Sequence, residues 1–140
     1  MYKVLVDSNI FVDFMFHRMP FYENSSKVIA LCEDKKIKGY VTTSILMDLH
    51  YIFARMSHSN KNADLAIQEI TKVFDVIDVS YKDIYDSTIV HKKDFEDSVI
   101  LQSSVRNKLN CIVTRNTKDF ENSREISIVE PEELLSLYTK

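Results

Sequence analysis

Only one glycine, Gly39, occurs in the 140-residue chain. A dinucleotide fingerprint or a P-loop needs several glycines to let backbone amides close around phosphates, so both are excluded. Cysteine is nearly as scarce. Cys32 and Cys111 lie far apart, each beside apolar residues (Ala30-Leu31 and Ile112-Val113). That pattern predicts reduced core residues of a cytoplasmic protein, not a disulfide framework or a zinc site. No apolar run approaches the ~20 residues that cross a bilayer, so no membrane partner is expected. With a strand starting at Lys3, no signal peptide is expected either. Positive charge is not in excess: a net charge of −3 argues against broad adhesion to nucleic acid through a basic surface. It does not exclude acids gathered in one metal-holding pocket. His17, His50, His58 and His91 show no metal-ligand spacing and are expected at surface or structural positions.

What the chain does have is a strong start. In Lys3-Val4-Leu5-Val6-Asp7-Ser8-Asn9, three apolar residues run together without polar alternation. That reads as a strand buried on both faces, as inside a parallel sheet. Asp7 then stands at its carboxyl end, where open α/β sheets place ligands. Asp7 or Ser8 equally suits the cap of a helix beginning near Ile10. Ile10, Phe11, Phe14 and Met15 give that helix, ending near Arg18-Met19-Pro20. Asn24 or Ser25 is the expected cap of a second helix, stopped by Gly39.

Residues 40–43 read as the second strand, and Ser44 opens a helix with Ile45, Leu49, Ile52, Phe53 and Met56 at helical spacing. Further helices are expected over 63–74, 83–91 and 94–108, with an edge strand at 75–79 and a buried fourth strand at 111–114. A helical turn at 117–120, a fifth strand at 126–129 and a helix opened by Pro131 complete the chain. Strands alternate with helices throughout, without repeat or linker. This predicts one α/β domain over residues 1–140, a parallel sheet covered on both faces.

Several acids fall at element boundaries. Asp48 lies one turn into the helix after strand two, on the same side as Ser44. Asp97 starts the helix before strand four, and Asp119 follows that strand. Each has a purely structural explanation: Asp94 with Asp97, and Asn116 with Asp119, are spaced as a cap and an acid at the third helical position. Early acids are also favoured by the helix dipole. If strands one and four are neighbours, however, Asp7, Asp48, Asp97 and Asp119 converge at one end of the sheet. Carboxylates so crowded repel unless a divalent cation neutralises them. Oxygen-only ligands suit Mg²⁺ or Mn²⁺, and such a cation activates water and stabilises charge on a phosphoryl oxygen. Arg115 and Lys118, with Lys92 and Lys93, are candidates for substrate phosphates, the alternative being a solvated charged surface. Phe21, Tyr22 and Tyr51 are candidates for stacking on unpaired bases, or for packing.

Val6-Asp7-Ser8-Asn9, Asp48-Leu49, Phe95-Glu96-Asp97, and Ile112-Val113-Thr114-Arg115-Asn116 with Asp119-Phe120 resemble the PIN-domain nucleases. The resemblance runs over essentially the whole chain and is closest to compact prokaryotic members that include the VapC-type toxins. It implies a three-layer α/β/α sandwich with a central, mainly parallel five-stranded sheet. It also implies a Mg²⁺- or Mn²⁺-dependent endoribonuclease acting on single-stranded or loop RNA. Asp7, Asp48, Asp97 and Asp119 would carry the catalytic positions, with Asp7, Asp97 and Asp119 holding metal. Asp48, where glutamate is commoner, would complete the site or orient the attacking water.

Ser8 and Asn9 match polar residues that steady the site. Asn116, where a fourth acid often follows Thr-Arg, would serve as an auxiliary oxygen ligand, and Asp94 as a supporting acid or a cap. The implied partners are RNA, a small antitoxin protein whose tail enters the acidic groove, and a second copy of the chain in a homodimer. Asp48 and Asn116 keep open the alternative of an inactive PIN-like RNA-binding or protein-interaction module. A phosphoacceptor receiver domain would want adjacent acids after the first strand and a lysine after the last, which this chain lacks.

Overall fold

Val4, Leu5 and Val6 expose no surface because their strand, β1 (Lys3–Val6), lies in the middle of the sheet. In the computed structural model, which describes residues 1–138, β1 pairs with β2 (Lys38–Thr42) on one side and β4 (Cys111–Val113) on the other. The strands β3 (Asp75–Ile77) and β5 (Ser127–Val129) form the edges, giving the order β3-β2-β1-β4-β5. Every pairing is parallel, with Leu5 opposite both Tyr40 and Ile112. The charge-interrupted run at 75–79 is indeed an edge strand, though shorter than expected.

Parallel neighbours require crossovers, and these are right-handed almost without exception. The chain moves outward from β1 to β3 through α1 (Ser8–Met15), α2 (Tyr22–Glu33), α3 (Thr43–Ser57) and α4 (Asn60–Val73). It returns to β4 through α5 (Tyr81–Val90) and α6 (Phe95–Arg106), and α7 (Pro131–Ser136) follows β5. Reversing direction with the same handedness places α5 and α6 on the opposite face from α1 to α4. The result is the expected α/β/α layering. Strand order reverses between β1 and β4, and such switch points carry ligand sites at the strands' carboxyl ends.

Several boundaries differ from the sequence reading. Gly39 is not a helix stop but lies inside β2. A Cβ there would come within 2.7 Å of both the Cys32 sulfur and the Phe74 ring, so the strand needs glycine for close packing. The left-handed residue just beyond α2 is Lys35 (φ 58°). That helix begins at Tyr22, whose amide donates to the Arg18 carbonyl at 2.7 Å, so neither Asn24 nor Ser25 caps it. Ser25 is instead interior, donating its hydroxyl to the buried Asp13 at 3.0 Å. The helix α3 starts at Thr43, because Thr42 Oγ1 caps the Ile45 amide at 3.1 Å. Ser80 and Asp83 cap α5 reciprocally, two residues before the expected start. Cys32 and Cys111 are buried free thiols. Among the described residues no helix is long and apolar enough to cross a membrane.

Candidate active site

The chain leaves β1 at Asp7 with its amide still in the sheet, donating to the Val113 carbonyl at 3.1 Å. One carboxylate oxygen then caps α1 by accepting from the Ser8 amide at 2.8 Å. The other accepts from the Thr114 hydroxyl at 2.8 Å and from Asn9 Nδ2 at 3.4 Å. Thr114 Oγ1 accepts in turn from Asn9 Nδ2 at 3.1 Å and from the Asn116 amide at 3.0 Å. Asn9 Oδ1 takes the Arg115 amide at 3.2 Å. The ends of β1 and β4 are thereby tied together around one carboxylate that is 5% exposed. Burial pushes the Asp7 pKa up and the bonds from Thr114 and Ser8 oppose this, while the charges of Asp94 and Asp119 raise it further.

Asp94 is the cap of α6, its Oδ1 accepting the Asp97 amide at 2.9 Å. Asp97 itself stands half-buried in the first turn. Its carboxyl is pushed up from 3.8 to about 7, first by burial and then by the charges of Asp7, Asp94, Asp119 and Glu96. Asp48, on α3, is raised by burial and by Asp7, while a hydrogen bond with Glu96 acts in the other direction. Glu96 is raised chiefly by the Asp48 charge, then by burial, by that same hydrogen bond and by Asp94. Two carboxyls placed so close disfavour each other's charge. Asp119 is exposed on a 3-10 turn (Thr117–Asp119) directly after β4. Asn116 makes no side-chain cap to that turn, so the capping explanation holds for Asp94 and Asp97 but not for Asn116 and Asp119.

Asp7 is the common neighbour at this edge of the sheet: its charge acts on Asp48 and Asp97, and Asp119 and Asp94 act on both Asp7 and Asp97. Glu96 joins them without having been singled out as a site residue. Its place beside Asp97, in the first turn of a helix aimed at that edge, was the available signal.

Arg115 is half-buried and fastened to the fold. Its Nε and Nη2 donate to the two oxygens of Asp13 at 2.6 and 3.0 Å, and its guanidinium lies 3.9 Å from the Phe21 ring centroid. Asp13 exposes no surface. The sequence signal for it was an acid three residues after Ile10, on the apolar stripe of α1. Lys118 is exposed on the turn that carries Asp119. Lys93 bonds the Phe120 carbonyl at 3.1 Å, and the amides of Lys92 and Lys93 bond Glu121. Of the aromatic candidates, Tyr22 stacks on His17 at 3.7 Å between ring centroids, whereas Tyr51 is exposed beside Arg55.

The side chains gathered here are carboxylates supported by hydroxyl and amide groups, a donor set that suits a hard divalent cation. Among the described residues, no three His, Cys, Asp or Glu side chains are already arranged as a metal site. Burial first, and then neighbouring carboxylates, raise the pKa values of Asp7, Asp48 and Asp97, with no cationic side chain among the causes.

A family model described as PIN domain matches residues 3–118. No match was found among curated protein sequences. Solved structures share the fold at low identity. A toxin–antitoxin complex from Klebsiella pneumoniae is 22% identical, covering 91% of this chain and 97% of that one, with a TM-score of 0.65. DNA-bound VapBC from Salmonella typhimurium is 18% identical over 94% and 99%, with a TM-score of 0.66. A VapC toxin of Mycobacterium tuberculosis, described as cleaving the sarcin-ricin loop, is 12% identical over 78% and 86%, with a TM-score of 0.63.

Proposed function

This chain belongs to the PIN-domain family, and from that membership and its edge of carboxylates we propose that it is a divalent-metal-dependent endoribonuclease, the toxin of a toxin–antitoxin pair. The observation that carries the proposal is the setting of Asp7. An acid 5% exposed, fixed by Thr114 and Asn9 and faced by further carboxylates, is costly to the fold unless it serves a positive ligand.

Asp7, Asp97 and Asp119 would hold Mg²⁺ or Mn²⁺, with Asp48 orienting the attacking water and Asn116 as an auxiliary oxygen donor. Bound there, the cation would supply an activated water and stabilise charge on the phosphoryl oxygens. The protein's own part is positional. Thr114 and Asn9 fix the Asp7 rotamer, Ser8 presents its amide to the same carboxylate, and Asp94 holds the start of α6 so that Asp97 faces Asp7. Lys118 would meet an RNA phosphate as a point charge. Arg115, fastened to Asp13, would act by shaping the edge.

Two of the similar structures are a toxin–antitoxin complex and DNA-bound VapBC, which supports a small antitoxin as partner. A basic antitoxin side chain entering the carboxylate edge would satisfy it in place of metal. The test is incubation of the purified chain with a mixed RNA pool. Endonucleolytic fragments that require Mn²⁺ or Mg²⁺ and vanish on chelation are expected. Equal cleavage in excess EDTA, or none with either metal, would overturn the proposal.

A further inference from the structure

The segment 91–94, which joins α5 to α6, has no buried side chain: His91, Lys92, Lys93 and Asp94 are all exposed. The apolar core therefore does not fix it, although Asp94 at its end caps α6 through the Asp97 amide. What fastens it is Glu121, 29 positions after Lys92 and 28 after Lys93. A single carboxylate oxygen, Oε1, accepts the amides of these two residues at 2.7 and 2.8 Å. Bonds of that length to a carboxylate are charge-assisted and strong. Lys93 Nζ adds a bond to the Phe120 carbonyl at 3.1 Å.

The other end of this clasp is anchored. Phe120, fully buried, pins the chain directly after the 3-10 turn that carries Asp119. Glu121 follows it, at the start of a stretch, 121–126, that forms neither helix nor strand. Asp119 thus lies two residues before the clasp on one segment, and Asp94 directly after it on the other. The two segments bring Asp97 and Asp119 near enough for the charge of Asp119 to act on Asp97. Like charges push these segments apart, so bonds elsewhere have to keep them together in the metal-free protein.

We infer that Glu121 is a positioning residue for the metal site, holding the start of α6 against the Asp119 turn so that Asp97 and Asp119 meet one cation. The inference rests on the metal-holding role proposed above for those two acids. Glu121 acts through the backbone and not as a ligand, since its Oε1 is occupied by two amides. Groups that hold ligands in place matter to metal affinity almost as the ligands do. Because both amides converge on one oxygen, a neutral glutamine carbonyl can take over the role, whereas alanine cannot. That contrast separates position from charge.

The test is Mn²⁺ affinity, read from the EPR signal of free Mn²⁺ as it is titrated into wild type, Glu121→Ala and Glu121→Gln. Thermal melts in EDTA first fix a working temperature at which all three are folded. Glu121→Ala should bind Mn²⁺ roughly tenfold more weakly, and Glu121→Gln within about threefold of wild type. Amide exchange at Lys92 and Lys93, followed by NMR, should quicken in Glu121→Ala and not in Glu121→Gln. Unchanged Mn²⁺ affinity or unchanged exchange in Glu121→Ala would overturn the inference, whatever happens to the melting temperature. Equal weakening in both variants would overturn it too, assigning the loss to the missing charge. Either failure with wild-type Mn²⁺ binding intact leaves the proposed function standing. A wild type that binds no Mn²⁺ would remove that function, and the positioning role with it.

Discussion

Thr114 and Asp7, 107 positions apart in the chain, are joined by a 2.8 Å hydrogen bond between the ends of two adjacent parallel strands. The threonine hydroxyl gives its one proton to the carboxylate and accepts from Asn9 and from the Asn116 amide. Replacing it by Thr114→Val keeps the shape but leaves three polar groups short of a partner. A loss of about 1–3 kcal/mol is expected, the cost of an unsatisfied buried acceptor. Urea denaturation measures it. Unchanged stability would mean that the Asp7 carboxylate does not depend on this bond.

The metal-free protein should lose stability as pH rises from about 4 to about 7. The sign follows from Asp97. Its folded-state pKa is about 7 against an ordinary 3.8, so between those values the folded state binds more protons than the unfolded one. The contribution is fully present below the unfolded pKa and is lost as pH passes through the folded one. Asp7, Asp48 and Glu96, shifted upward as well, act in the same direction. Thermal melts in EDTA across this window check it, and Asp97→Asn should flatten the slope. A wild type whose stability rises through the window would contradict the crowding of these acids.

Asp83 gives the opposite dependence, from a different part of the fold. Against the cost of its burial, Arg106, the Ser80 amide and Ser103 together hold its carboxyl down to about 2. Its stabilisation is present above the unfolded pKa near 4 and is lost only as pH falls towards 2. Because Arg106 also donates to the Asp78 carbonyl at 2.7 Å, it ties α6 to the segment before α5. Arg106→Leu should cost about 1–3 kcal/mol in urea denaturation. The RNA cleavage per folded molecule should stay as in wild type, since none of these residues lies among the Asp7 carboxylates. A selective loss of cleavage without a loss of stability would contradict this separation.

The fold was largely legible because its signals are local. Val4-Leu5-Val6 and Cys111-Ile112-Val113 announce strands buried on both faces, and the acids at their ends mark the ligand edge. The convergence of Asp7, Asp97 and Asp119 followed once β1 and β4 were taken as neighbours. What escaped depends on contacts between distant segments. Asp13 with Arg115 joins α1 to the residue after Thr114, and nothing near either residue names the other. Glu96 pairs with Asp48 only because α3 and α6, on opposite faces of the sheet, both reach its carboxyl edge. Gly39 misled because a glycine after a basic helix end normally stops the helix. Its real requirement is the space that Cys32 and Phe74 fill.

The most direct test of a shared metal site is a pair of thermal melts for wild type and Asp97→Asn, one in EDTA and one in millimolar Mn²⁺. In EDTA the substitution relieves like-charge repulsion and should raise the melting temperature. If Asp97 were only a favourable acid near a helix N-terminus, losing it would cost about 0.3–1 kcal/mol instead. In Mn²⁺ the order should reverse. A cation that binds only the folded state adds about 2.7 kcal/mol at a hundredfold excess over its Kd, and the variant should lose much of that gain. A wild-type melting temperature indifferent to Mn²⁺, with Asp97→Asn less stable in both buffers, would contradict a metal held between these carboxylates.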